Sequence, residues 1–240
     1  MKRLSLLTLI FALLSVVFFL LLIFFRTPFP LYPFMSWQDA LDIFTPLVLI
    51  PIYWLMFRYG SSERPRLAEE IVFLLFACLW IAGQGMHLSA NSINNLAEGM
   101  AKNRLLNILD TNVYQLAYFF DEHLSHFMWH LGVIGLAALI IFRQWSKPSE
   151  ATTNWWLVVP AGILYGFTCF CFFLEGQTAI LGFPFVTITA LVILIWQRKA
   201  LKRRPIMAFF LVSFLVTTIF FTGWAVYYKG FPQFSDVGLI

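Results

Sequence analysis

Residues 4–25, LSLLTLIFALLSVVFFLLLIFF, form an uninterrupted run of 22 residues that contains no charged side chain. An α-helix of about 20 apolar residues spans the roughly 30 Å hydrocarbon core of a bilayer. The run follows Met1-Lys2-Arg3 and exceeds the apolar part of a secretory signal, and no small-x-small cleavage site follows it. We therefore expect a permanent membrane-spanning helix here.

Six further apolar runs of comparable length follow along the chain. The predicted spans are residues 4–25, 40–58, 69–91, 113–142, 154–175, 180–197 and 206–228. Of the 240 residues, 60% are apolar and 12% are charged, whereas a soluble domain carries about 25% charged residues. The composition excludes a soluble protein and predicts an all-α, polytopic membrane protein with residues 1–240 as a single transmembrane domain.

Basic residues are distributed unevenly between alternate loops. If the seven spans alternate in direction, twelve of the 16 lie on the side of the N-terminus: Lys2, Arg3, Arg58, Arg64, Arg66, Arg143, Lys147, Arg198, Lys199, Lys202, Arg203 and Arg204. Because positive charge favours the cytoplasmic side, we expect the N-terminus inside and the C-terminus outside, with a bacterial inner membrane as the default location. The basic run 198–204 is interpreted as a topology anchor, and we expect no nucleic-acid partner.

Acidic residues show the opposite bias, which predicts an acidic outer mouth that favours cations. Those at or near the outer side are Asp39, Asp42, Glu98, Asp110, Asp121, Glu122, Glu175 and Asp236. Two outer loops are long. Residues 26–39 carry three prolines and are predicted to form an interfacial cap rather than a helix. Residues 92–112 are predicted to lie as an amphipathic helix on the membrane surface.

All four histidines fall in the third and fourth predicted spans. On the fourth, the spacing of four places Glu122, His126 and His130 on one stripe, with His123 close to it. Asp121 points roughly the other way around this helix, unless the helix is distorted. On the third span a second polar stripe is predicted, made of Gln84, His87, Asn91, Asn94, Asn95 and Glu98. Asn94 and Asn95 have the alternative of capping that helix.

The two stripes are predicted to meet. With a rise of about 1.5 Å per residue, His87 lies about 25 Å above the inner end of its helix and His126 about 24 Å above the inner end of its own. Both levels correspond to the outer part of the bilayer. Intramembrane ionisable groups are costly and are usually functional, so this level is the predicted site.

A His-x-x-x-His pair on a helix can bind one zinc ion, and a third imidazole from a neighbouring helix leaves an open position for water. We assign His126 and His130 as the pair and His87 as the third ligand. Zinc is the expected metal, with copper or haem as alternatives. Glu122 is expected to transfer a proton, and His123 is either an alternative ligand or a proton carrier.

Neighbouring polar groups complete the predicted site. Gln84 and Asn91 flank His87 by one helical turn on each side, where they could orient a ligand or polarise a carbonyl. Asp121 is the weaker catalytic candidate of the two acidic residues at this level.

Seven helices with three helix-borne histidines and nearby acidic residues resemble the superfamily of alkaline ceramidases and progestin and adipoQ receptors. The resemblance implies a zinc-dependent membrane hydrolase in which His126 and His130 are the paired ligands, His87 is the lone ligand and Asp121 is the family's aspartate. Two features differ. The pair lies in the fourth helix rather than the last, and Gly83 stands where the family has a serine.

The leading hypothesis is a metal-dependent membrane enzyme, a zinc hydrolase acting on a lipid-like amide or ester that enters from the outer leaflet. The first alternative is a transporter or chaperone for a transition metal that uses the same histidines. The second is a haem or quinone site between the third and fourth spans. The third is a structural subunit whose polar stripes only hold the helices together.

Overall fold

The computed structural model describes residues 3–102, 108–148 and 151–239. The regular secondary structure of these residues is helical apart from one small hairpin. Its helices are α1 (Arg3–Phe19), α2 (Trp37–Asp42), α3 (Phe44–Tyr59), α4 (Leu67–Lys102), α5 (Asn112–Tyr118), α6 (His126–Ser146), α7 (Trp155–Glu175), α8 (Ala179–Gln197) and α9 (Pro205–Tyr228). A π-helix, Phe119–Ser125, joins α5 to α6, and short 3₁₀ turns occupy Leu21–Phe24 and Leu201–Arg203.

Seven helical segments of the described chain are long and apolar enough to cross a membrane, which confirms the all-α fold with seven spans. They are Arg3–Phe24, Trp37–Tyr59, Leu67–Lys102, Asn112–Ser146, Trp155–Glu175, Ala179–Gln197 and Pro205–Tyr228. The membrane orientation of the two termini stays a prediction.

The third span does not end where the polarity of its sequence suggests. We predicted a break at residue 91 followed by a surface helix over 92–112, but α4 continues without interruption to Lys102; residues 103–107 lie outside the described part of the chain. Asn94 and Asn95 are therefore inside the helix and do not cap it. Their amides find partners within the bundle, because Asn94 donates to Asp121 at 3.2 Å and Asn95 donates to Asn91 at 3.0 Å.

The loop after α1 is a hairpin followed by a short helix, where we predicted a helix-free cap. Strands β1 (Pro28–Phe29) and β2 (Tyr32–Ser36) pair antiparallel. Ser36 then caps α2 in both directions: its Oγ accepts from the Asp39 backbone N–H at 3.1 Å, and the Asp39 carboxylate accepts from the Ser36 N–H at 2.9 Å. This capping box fixes the start of α2, the helix that carries Asp39 and Asp42.

The centre of the bundle is aromatic. Helix α7 packs against both α1 and α9, and Phe11 of α1 sits between Tyr53 and Tyr165 with ring centres 4.7 and 4.9 Å away. The two tyrosine hydroxyls hydrogen-bond to each other at 2.8 Å, so neither buried hydroxyl is left unpaired. Apolar burial and this paired polar contact hold α1, α3 and α7 together.

Polar contacts fasten the end of α6 that lies farthest from its histidines. The buried Arg143 guanidinium pairs with Glu69 of α4. Gln144 donates to the Gly60 carbonyl at 3.0 Å and accepts from the Met207 N–H at 2.7 Å, which links α6 to the end of α3 and to α9. Just beyond the helix, Lys147 donates to Glu63 at 2.5 Å and lowers the pKa of that carboxyl.

Helices α4 and α6 approach so closely that glycine is required at their contact. A β-carbon added at Gly83 would lie 2.5 Å from the Trp129 backbone nitrogen and 2.6 Å from the Ser125 carbonyl oxygen. Backbone atoms cannot move aside as a flexible side chain can, so any larger residue must push the two helices apart. Gly85, two residues further along α4, is different, because nothing lies within 4 Å of a β-carbon added there.

We predict that Gly83→Ala destabilises the protein by about 1–3 kcal/mol, the usual cost of overpacking. Gly85→Ala is the matched control on the same helix and should be neutral or slightly stabilising, because alanine favours helix more than glycine does. Thermal unfolding of the purified proteins in detergent measures the difference. Equal midpoints for the two variants would contradict the close approach.

Candidate functional site

The π-helix decides which side chains face the interior. An α-helix advances 100° per residue, and on that count Asp121 turns away from the histidine stripe. The wider π segment over Phe119–Ser125 is the distortion that brings Asp121 inward. The side chain is fully buried, and Ser125 donates a hydrogen bond to the Asp121 backbone carbonyl.

Two polar side chains of α4 meet this buried carboxylate. Nδ1 of His87 lies 2.8 Å from Oδ1 of Asp121, and the Asn94 amide donates to Oδ2 at 3.2 Å. A carboxylate removed from water is stabilised only when it is paired and hydrogen-bonded. Both requirements are met by residues of the neighbouring helix, so Asp121 and α4 hold each other in place.

The structure brings the three candidate ligands together. The ring centres of His87 and His126 are 4.7 Å apart, and those of His126 and His130 are 5.9 Å apart. Each Nδ1 faces a protein group: His126 the Glu122 carbonyl at 3.1 Å, and His130 the Thr178 hydroxyl. This leaves Nε2 of each ring for another partner.

The donor arrangement does not fit one metal ion as it stands. The His126 and His130 rings are inclined by only 7°, so their nitrogens project side by side rather than toward a common point. Within the described ranges, no three His, Cys, Asp or Glu side chains are placed to hold a metal ion. The His87 and His126 rings are also too close to admit a haem between them. Metal or haem ligation by these residues stays a prediction.

Of the two other catalytic candidates, Glu122 faces the interior and His123 does not. Glu122 lines the cavity described below, and its carboxylate accepts from the Gln177 amide at 3.2 Å. His123 is exposed, packs on Tyr118 and Phe119, and is not part of the cavity wall.

A cavity of about 490 Å³ opens beside the histidines. Its polar wall is formed by Asp39, Asp42, His87, Asn91, Glu122 and His126. Its apolar wall includes Phe18, Phe19, Leu88, Trp129, Phe167 and Phe172. The cavity therefore has two chemically distinct sides, as a site for an amphipathic molecule requires.

Gln84 and Asn91 hold the acidic groups of α2. Gln84 accepts from Trp80 Nε1 at 2.9 Å and donates to Asp42 at 2.7 Å, while Asn91 donates to Asp39 at 2.8 Å. Gln84 is buried and lies outside the cavity wall, whereas Asn91 lines it. Both amides thus position carboxylates, a role that the sequence did not reveal because α2 is distant along the chain.

The segment after α9 folds back over the cavity. Gln233 donates to the Glu175 backbone carbonyl at 2.5 Å, and the Phe234 N–H donates to the Glu175 carboxylate at 3.0 Å. Phe234 and Leu239 line the cavity, as do Glu175 and Gly176 at the end of α7. The sequence did not predict that this segment covers the cavity, because no pattern in residues 229–239 indicates which part of the bundle they contact.

Comparisons with known proteins do not assign the chain to a family. No family model matches the chain, and no solved structure matches. The chain is 26% identical over 206 residues to the ceroid-lipofuscinosis neuronal protein 6 homolog of Canis lupus familiaris, covering 78% of this chain and 62% of that relative. The chain thus spans about three fifths of the relative's length.

The fold and the site together define an integral membrane protein with seven spans and an amphipathic cavity at one end. The resemblance to ceramidases and progestin and adipoQ receptors gains no support from these comparisons and stays a prediction. A bacterial inner membrane also stays a prediction, because the similar protein comes from a mammal. A site at the outer face stays a prediction as well.

We predict that Asp121→Ala lowers stability by about 1–3 kcal/mol, because His87 loses its charged partner and Asn94 loses its buried acceptor. Asp121→Asn keeps an acceptor oxygen and should cost less. Asp236→Ala is the control, since that carboxylate is exposed and accepts from the Gln233 N–H. Thermal unfolding in detergent ranks the three variants, and an Asp121→Ala protein as stable as the control would refute the pairing.

Proposed function

We propose that the chain is a membrane-embedded enzyme that hydrolyses an amide or ester bond of a lipid-like amphiphile. The observation that carries this proposal is the Asp121–His87 pair, in which a fully buried carboxylate lies 2.8 Å from Nδ1 of a histidine that lines an amphipathic cavity. A carboxylate placed in this way selects the tautomer of the imidazole and stabilises its protonated form. Asp121 is thus a positioning residue and His87 the general base.

The reaction needs one proton acceptor close to the substrate. With Nδ1 held by Asp121, Nε2 of His87 takes a proton from water as the water oxygen bonds to the carbonyl carbon. The bond from that carbon to the leaving nitrogen or oxygen then breaks, and the leaving atom receives the proton. Glu122 on the same wall is the second group that can hold a proton during this transfer.

The apolar wall supports a substrate with a hydrocarbon chain. Phe18 and the 3₁₀ turn Leu21–Phe24 line the cavity where α1 ends, and Phe24 is 75% exposed on the outside of the bundle. A chain in the bilayer therefore has a route along apolar side chains between lipid and cavity. This supports sideways entry from the membrane.

The interior of α6 favours a closed cavity over a path through the membrane. Beyond His130, the buried side chains Val133, Leu136, Ala137, Ile140 and Ile141 are all apolar. Ions cross a bilayer only where polar groups or water replace their hydration. Helix α6 offers no such groups between His130 and Arg143 on its buried face, which argues against the transporter alternative.

Assays with two fluorogenic amphiphiles test the proposal: 4-methylumbelliferyl dodecanoate as the ester and 7-dodecanoylamido-4-methylcoumarin as the amide. We expect turnover of at least one by the purified protein in detergent micelles. His87→Asn should lower kcat by about 10²–10⁴-fold, the usual contribution of a general base. Asp121→Asn should lower kcat less.

Cys78→Ser is the control variant, because Cys78 lies exposed on the same helix as His87 and does not line the cavity. Its turnover should equal that of the unchanged protein. Absence of turnover on both compounds, or full activity in His87→Asn, would overturn the proposal.

Zinc binding is tested separately by elemental analysis of protein purified without chelators. The prediction from the histidine spacing is about one zinc per chain, lost in His126→Ala. For that to occur, the His126 and His130 rings must rotate out of their parallel arrangement. Zinc at background level in the unchanged protein would contradict the prediction.

A further inference from the structure

We infer that the amphiphile taken up by the cavity carries a positively charged amine as its head group. The inference rests on the proposed function, since it names the substrate class of the same cavity. Three features of the wall lead to it: carboxyl groups with no lysine or arginine among the described lining residues, a buried N–H donor without a partner, and an apolar surface beside them.

Carboxylates supply the charge on the wall. Asp39, Asp42, Glu122 and Glu175 line the cavity, and no lysine or arginine is found among the described residues that do so. Arg26, the basic residue next to the 3₁₀ turn, does not line the cavity; its Nε donates to the Ile23 carbonyl at 3.1 Å, and its charge acts on Glu175. The histidine on this wall nearest to a carboxylate, His87, is already paired with Asp121.

The hydrogen bonds to the wall carboxylates come from neutral groups. Asp42 accepts from the Gln84 amide at 2.7 Å and from the Thr45 hydroxyl at 3.1 Å. Asp39 and Glu122 accept from amides of Asn91 and Gln177. Such donors orient a carboxylate without neutralising it, and charges inside a membrane protein require a counter-charge. An ammonium group supplies one, together with three N–H donors.

Trp129 supplies an independent indication that a ligand belongs here. Its side chain is only 7% exposed and lines the cavity, yet its Nε1 has no hydrogen-bond partner within the described structure. Buried indole N–H groups normally have an acceptor. The Trp129 ring is fixed between aromatic neighbours, with the ring centres of Phe19 and His126 at 5.6 and 5.9 Å. We therefore assign an oxygen atom of the ligand as the acceptor that Nε1 lacks.

The apolar wall indicates that the cation is part of an amphiphile and not a small amine. Phe18, Phe167 and Phe172 lie on the same cavity as the carboxylates. A hydrocarbon chain fills such a surface with van der Waals contacts, which a small amine cannot do. A molecule with an ammonium group, a nearby carbonyl or hydroxyl oxygen and a hydrocarbon chain satisfies all three features at once.

Four matched probes test the inference by binding rather than turnover. N-dodecylglycinamide carries the ammonium, the carbonyl and the chain. N-dodecylacetamide lacks the charge, N-dodecylsuccinamic acid reverses it, and glycinamide lacks the chain. Calorimetric titration of the protein in a neutral maltoside detergent should give an affinity for N-dodecylglycinamide about tenfold or more above the other three, the range expected for a charge-assisted hydrogen bond.

Variants assign the preference to particular residues. Asp42→Asn and Glu122→Gln should each weaken binding of N-dodecylglycinamide by about tenfold and leave N-dodecylacetamide unchanged. Glu70→Gln, which removes a carboxylate near the far end of α4, is the control and should change neither. Trp129→Phe should weaken both amide probes by a similar factor, because it removes only the N–H donor.

Equal affinities for the charged and neutral probes would overturn the inference, as would a preference for the acid. Glycinamide binding as tightly as its dodecyl derivative would also overturn it, because the site would then serve a small cation. These measurements do not require catalysis. Failure of the proposed hydrolysis and failure of the amine preference are therefore separate results.

Discussion

The buried carboxylate of Asp121 is the interaction on which the site depends. A charge without water must be paired, and here the pairing groups are His87 and Asn94 on the neighbouring helix. An unbroken α-helix would direct Asp121 elsewhere, so the π segment and the pairing require each other. The close approach of α4 and α6 at Gly83 brings the two helices within reach. The buried charge of Asp121 thus links the π segment, the contact between α4 and α6, and the orientation of His87.

Most of the fold could be predicted from the sequence because the bilayer imposes it. Hydrocarbon thickness sets the length of each span, and seven apolar runs therefore identify seven helices. The end of α4 was the main error. Polar residues beyond residue 91 suggest an exit from the membrane, but a helix continues wherever its polar side chains find partners, as Asn94 does with Asp121.

The candidate site could be predicted only in part. Helical periodicity and rise correctly brought His87, His126 and His130 to one level, because both are properties of a regular helix. The direction of each ring depends on its rotamer and on partners distant in sequence, such as Thr178 for His130. Helical periodicity gives no information about either. The acidic groups of α2 and the returning segment after α9 are likewise contacts between residues far apart in sequence.

The fold-back of residues 229–239 has a practical consequence for handling the protein. Leu239 lies on the cavity wall, and Glu175 fastens the segment through the Phe234 N–H. Any polypeptide joined after this point, including an affinity tag, starts at the rim of the cavity and competes with whatever enters it. Purification handles and fluorescent fusions are therefore better placed before α1, away from the cavity wall that Phe234 and Leu239 form.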